Sequence, residues 1–96
     1  MVVTNPTHFA VALEYRPEMA APVVVAKGAN LLAEQIKQVA RWHEVPIAEN
    51  PPLAQALYRG VEVGQAIPAK LYAAVAEILA FIYRAQMRVQ SAGGKA

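Results

Sequence analysis

Apolar and polar positions along this chain change period several times, and each change marks an element. From Phe9 to Tyr15, large residues alternate with small or polar ones: Phe9, Val11, Leu13 and Tyr15 against Ala10, Ala12 and Glu14. That is the period of a strand with one face fully in the core. Ahead of it, Val2, Val3 and Thr4 predict the end of another strand, interrupted at Asn5-Pro6. Arg16-Pro17-Glu18 reads as a turn. Pro22 to Lys27 holds Val23, Val24 and Val25 in a row, the pattern of a strand buried on both faces, and Gly28 closes it.

The period then lengthens to that of helices. Asn30 is placed to cap a helix running to about His43, with Leu31, Leu32, Ile36, Val39 and Ala40 as its apolar stripe. Pro46 to Glu49 predicts a short strand. Asn50-Pro51 opens a second, short helix ending near Gly60, because proline is tolerated in the first turn, where its missing N–H has no partner. After a loop holding Val61, Val63 and Gly64, Pro68 starts a last helix with Leu71, Val75, Ile78, Leu79 and Ile82 inward, fraying after Arg88.

Strands alternating with helices predict an α/β fold with a small central sheet of about four strands surrounded by helices. The chain is one domain over residues 1–88, followed by a flexible tail at 89–96 that ends Gly-Gly-Lys-Ala. No stretch approaches the roughly 18 apolar residues of a membrane span, and the start carries no signal peptide.

Composition narrows the chemistry. There is no Cys and no Asp, and Ser91 is the only serine. Disulfides, thiolate metal sites, a cysteine nucleophile and a Ser-His-Asp triad are therefore excluded. His8 and His43 have no metal-ligand spacing, so no metal and no cofactor are expected. A net charge of +2 comes from nine basic residues scattered singly, without the clustered face that a nucleic-acid partner requires. Lys27-Gly28 lacks the remainder of a phosphate-binding loop.

One segment can do chemistry. In Asn5-Pro6-Thr7-His8 the side-chain amide of Asn5 is one five-membered ring from its own carbonyl. Attack on that carbonyl expels the Pro6 nitrogen and leaves a succinimide. The competing deamidation needs an N–H on the following residue, which proline lacks. Held in attack geometry, such a reaction gains from orientation, and backbone N–H groups can hold the oxyanion while His8 moves a proton or braces the turn. Any such event is a single turnover on the chain itself. The same residues also make an ordinary architectural turn, and both readings stand at this point.

Asn5-Pro6-Thr7-His8 and the strand Phe9 to Tyr15 resemble the autocleavage motif of the FlhB/YscU family, the export-switch proteins of bacterial flagella and type III secretion injectisomes. The likeness continues through Ala21-Pro22-Val23-Val24-Val25-Ala26-Lys27-Gly28, Val45-Pro46-Ile47, Glu49 to Ala54, Leu57-Tyr58, Gly64, Ile67-Pro68 and Leu71-Tyr72 to Ala76. Asn50-Pro51-Pro52-Leu53 and Tyr72 to Ala76 are closer to the flagellar branch. The resemblance implies a cytoplasmic domain at the bacterial inner membrane, joined to an N-terminal membrane-embedded part that this sequence lacks. Cleavage between Asn5 and Pro6 would switch export from rod and hook subunits to filament subunits. Asn5 is then the cyclising residue, Pro6 the leaving group, and Thr7 and His8 shape the loop. The implied partners are other export-gate proteins, the hook-length ruler, and export substrates or their chaperones.

Glu14 stands where relatives often carry a lysine, and the upstream piece released by a cut would be only Met1 to Asn5. Alternatives are an injectisome homologue with the same reaction, a binding module that is never cut, and a basic nucleic-acid binder. Trp42 and His43 either cover the core edge or form a partner-facing patch. Pro51-Pro52-Leu53 is either a docking knob or only a helix start.

Overall fold

The β-branched segment Val2–Asn5 forms strand β1, and it lies inside a four-stranded sheet, hydrogen-bonded on both edges. The other strands are β2 (Phe9–Glu14), β3 (Val23–Ala29) and β4 (Ile47–Glu49), in the order β3-β2-β1-β4. β1 pairs antiparallel with β2 and parallel with β4, while β2 pairs antiparallel with β3. Helix α1 (Leu31–Trp42) carries the chain across one face from β3 to β4. Helices α2 (Pro51–Gly60) and α3 (Tyr72–Gly94) follow, α3 entered through a 3-10 turn over Ala69–Leu71. This computed structural model describes residues 1–6 and 8–94, with side chains up to residue 87.

Strand alternation divides the core in two. Val3, Val11, Leu13 and Val24 face α2 and the start of α3, meeting Leu53, Ala54, Leu57, Val61, Ile67 and Val75. Val2 and Ala10 face α1 and meet Ala33 and Ala40. The α/β architecture with a four-stranded sheet is thus the one expected. α2 begins where Asn50-Pro51 predicts, and its cap is explicit: Asn50 Oδ1 accepts from the Leu53 N–H at 3.3 Å.

Several expectations are corrected. The buried face of α1 is Ala33, Lys37 and Ala40, with Ile36 partly buried against it, so of the predicted stripe Leu31, Leu32, Ile36, Val39 and Ala40 only Ile36 and Ala40 pack inward. Leu31 and Val39 are 82% and 60% exposed, and Leu32 and Val39 line an open apolar groove with Met1, Ala12 and Val25. The reason is close approach. Gly28 on β3 lies so near α1 that a Cβ there would come within 2.4 Å of Leu32 Cγ, and at this close approach the small Ala33 and Ala40 pack on the sheet.

Asn30 occupies the cap position but makes no side-chain cap bond and has a left-handed φ of 54°. It turns the chain sharply from β3 into α1, a conformation that asparagine tolerates better than most residues. Val25 is exposed because a bulge opposite Ala12 and Leu13 takes it out of register on an edge strand. Tyr15 lies beyond the end of β2 and is exposed too. Trp42 is 84% exposed and covers no core. The backbone of α3 stays helical to Gly94, beyond Arg88, since local hydrogen bonding continues a helix after its apolar stripe stops. The last two residues of the expected tail, Lys95 and Ala96, lie outside the described residues.

Candidate active site: the turn between β1 and β2

Asn5, the last residue of β1, pairs with Phe9, the first of β2, so only Pro6, Thr7 and His8 join the two strands. Proline fixes its own φ and shortens the conformational list of this link. The link closes on itself: the His8 N–H donates to the Asn5 carbonyl oxygen at 2.9 Å. That oxygen belongs to the carbonyl that an attacking Asn5 amide would reach.

The surrounding elements hold the turn from both sides. The His8 carbonyl accepts from the Asn30 N–H at 3.0 Å, at the entry to α1. The Thr4 carbonyl accepts from the Asn50 N–H at 2.9 Å, at the entry to α2. Lys37 on α1 donates from Nζ to the Pro6 carbonyl at 3.4 Å and pairs with Glu34 Oε1 at 2.7 Å. The hydrogen bond from Lys37 holds the Glu34 carboxyl below its ordinary range.

Phe9 is fixed just past the turn. Its ring stacks on Tyr58, with centroids 4.3 Å apart, and the Arg59 guanidinium lies 6.0 Å from the same ring. Lys27 Nζ donates at 2.9 Å to the carbonyls of Tyr58 and Val61, the unsatisfied end of α2. Lys27-Gly28 is thereby explained as structure, its ammonium capping a helix and its glycine admitting α1.

The arrangement suits acyl transfer within the backbone. An attacked Asn5 carbonyl would place negative charge on an oxygen already facing one N–H donor. Asn5 is half-buried, whereas Pro6 and His8 are exposed, so water can reach a product on the Pro6 side. The structure brings Asn5, Pro6 and His8 into one turn; Thr7, also expected there, lies outside the described residues. The His8 ring sits beside Phe9, with centroids 6.1 Å apart. The residue that sequence reasoning missed is Lys37. Its signal was the spacing Ala33, Lys37, Ala40, two small residues and one long cation on a single helical face.

Among the described residues, no three His or acidic side chains converge as a metal site requires, and no helix is long and apolar enough to cross a membrane.

Comparison with known proteins places this geometry in context. The model of the FlhB, HrpN, YscU and SpaS family matches residues 1–82. The flagellar biosynthetic protein FlhB of Salmonella typhimurium is 54% identical over 96 residues, 99% of this chain and 25% of that protein. FlhB of Bacillus subtilis is 48% identical over 90 residues, 93% of this chain and 25% of that protein. The chain thus spans about a quarter of the length of these curated relatives. Among solved structures, the cytoplasmic domain of FlhB from Shewanella putrefaciens superposes with a TM-score of 0.81 at 42% identity, covering 85% of this chain and 68% of that one. An EscU C-terminal domain carrying an asparagine-to-alanine substitution gives a TM-score of 0.79 at 33% identity, covering 83% of this chain and 81% of that one.

Proposed function

Since the chain belongs to the FlhB, HrpN, YscU and SpaS family, we propose that it is the export-switch domain of a flagellar type III export apparatus and that it cuts its own backbone between Asn5 and Pro6. The observation that carries this reading is the 2.9 Å hydrogen bond from the His8 N–H to the Asn5 carbonyl oxygen, in a turn whose next residue is proline.

In the proposed reaction the Asn5 Nδ2 attacks the Asn5 carbonyl carbon and forms a five-membered ring. The His8 N–H takes up the charge that develops on the oxygen. The bond from that carbon to the Pro6 nitrogen then breaks, and the proton lost by Nδ2 ends on the Pro6 nitrogen. The products are Met1–Asn5 with a C-terminal succinimide, later opened by water, and a chain that begins with the secondary amine of Pro6. Pro6 has no N–H to start the competing deamidation. In this reading Thr7 and His8 act as loop-shaping residues, as in the motif they resemble, and the His8 imidazole is the candidate for relaying the proton.

β1 pairs with β2 on one side and β4 on the other, which favours retention of the upstream piece after the cut. A break at the end of β1 frees the Pro6 end of the loop while leaving the sheet intact. The proposed outcome is a change of export from rod and hook subunits to filament subunits. The domain would work at the cytoplasmic face of the inner membrane, alongside other export-gate proteins, the hook-length ruler and export substrates with their chaperones.

Intact-mass measurement of the purified chain during incubation at neutral pH tests the chemistry. The wild type is expected to resolve into two masses that sum to the uncut chain while the succinimide is closed, and to that mass plus one water once it opens, and Asn5→Ala to remain whole. A wild type that stays whole through long incubation, both alone and with a complete upstream strand, rejects the reading.

A further inference from the structure

Lys37 is the one charged side chain among the described residues that is buried, with only 9% of its surface exposed. Burying an ammonium costs several kcal/mol unless it is paired, and a lysine on a helix can ordinarily extend its stem until the charge meets water. Here it does not. It points between Ala33 and Ala40 on the packing face of α1 and ends 3.4 Å from the Pro6 carbonyl oxygen. Glu34, one turn earlier, balances the charge at 2.7 Å. No buried side-chain polar atom among the described residues is left without a partner.

That contact falls on the first carbonyl beyond the Asn5–Pro6 bond. His8 N–H to the Asn5 carbonyl and Asn30 N–H to the His8 carbonyl also tie the turn, and both act on backbone outside Pro6. Pro6 has no N–H of its own, so its carbonyl is the one main-chain polar group by which this residue can be held. We propose that Lys37 is a positioning residue for cleavage at Asn5–Pro6, its buried ammonium holding the Pro6 carbonyl so that the leaving ring keeps the orientation the attack requires. The role rests on the self-cleavage reading above. It acts on Pro6 alone and assigns Lys37 no bond making and no proton transfer.

The test compares cleavage rates, read by intact mass, for wild type, Lys37→Met and Lys37→Arg, with Asn5→Ala as the uncut reference. Melting curves show that each is folded, and Lys37→Gln replaces the Met variant if that one does not fold. A neutral side chain is expected to slow the cut about tenfold to a hundredfold, the scale of a small misplacement of reacting groups. Arginine, which keeps the cation, is expected to restore most of the rate. In the uncut Asn5→Ala background, Lys37→Met should also speed hydrogen exchange of the His8 amide, whose donor position depends on the held turn. A folded neutral variant that cuts at the wild-type rate overturns the proposal. So does an arginine variant as slow as the neutral ones, because the effect then lies in packing. A wild type that stays uncut overturns the cleavage reading itself and this role with it, a result distinct from both.

Discussion

The Lys27 ammonium donates to the Tyr58 carbonyl at 2.9 Å and lies 5.4 Å above the ring of the same residue. One side chain on β3 thus closes the C-terminal end of α2 and supports the ring on which Phe9 stacks. Lys27→Met is expected to cost about 1–3 kcal/mol, the range for losing a charged donor to buried carbonyls. Urea denaturation followed by circular dichroism measures it. A cost near zero would show that water replaces the ammonium freely.

Gly28 admits α1 to the sheet, because a Cβ there would meet Leu32 Cγ at 2.4 Å and Leu32 Cβ at 2.8 Å. Rotating the Leu32 side chain can move Cγ but not Cβ, so the helix itself has to shift. Gly28→Ala is expected to destabilise by about 1–3 kcal/mol, as overpacking does. It should also slow cleavage, since the seating of α1 brings Lys37, and Asn30 just ahead of the helix, to the turn. A variant less stable but cut at the wild-type rate would separate the seating of α1 from the reaction.

Pro6→Ala tests the leaving group. It supplies the missing N–H and opens attack on the Asn5 side chain by the following residue. The expected product of long incubation is a deamidated full-length chain, with less cleavage than in wild type. Peptide mapping by mass spectrometry distinguishes the two, and unchanged cleavage without deamidation contradicts the proposed competition.

The Glu34–Lys37 pair carries a pH dependence of definite sign. Glu34 is held below its ordinary value of 4.5 chiefly by the hydrogen bond from Lys37. Between the lowered folded value and 4.5 the unfolded chain binds the extra proton, so stability rises with pH there. The contribution is present in full above 4.5 and lost as pH falls through the folded value. Denaturation curves over a pH series should show an acid loss that is smaller in Glu34→Gln. Identical slopes for both chains contradict the pairing.

Val2, Val3 and Thr4 are all buried between β2 and β4. After cleavage, Met1–Asn5 is expected to elute with the rest of the chain in gel filtration under native conditions and to separate only in denaturant. Recovery of the free pentapeptide in the low-mass fractions under native conditions contradicts retention by pairing alone.

Much of this protein was legible from local pattern. The β-branched run and the alternation gave β1 and β2, Asn50-Pro51 gave the start of α2, and Asn5-Pro6, followed by Thr7-His8, marked a bond whose neighbours suit scission. These are properties of a residue and its sequence neighbours: side-chain period, a missing N–H, the length of an asparagine side chain. The packing face of α1 was only partly legible: Ile36 and Ala40 lie in the expected stripe, but hydrophobicity ranks Leu32 and Val39 above Ala33 and Lys37, while the close approach of α1 at Gly28 suits the small Ala33 and Ala40. Lys37 reached the turn for the same reason, lying on the face that the sheet selected. The sequence by itself determined that two bonds, Asn5–Pro6 and Asn50–Pro51, have neighbours suited to scission, and the fold separates them, because Asn50 caps α2 with its side chain on the Leu53 N–H. The His8 N–H reaches the Asn5 carbonyl within the turn itself, but tertiary structure alone decided that Asn30, Asn50 and Lys37 hold that turn, because those contacts join residues far apart in the chain and only the packing of α1 and α2 on the sheet brings them together.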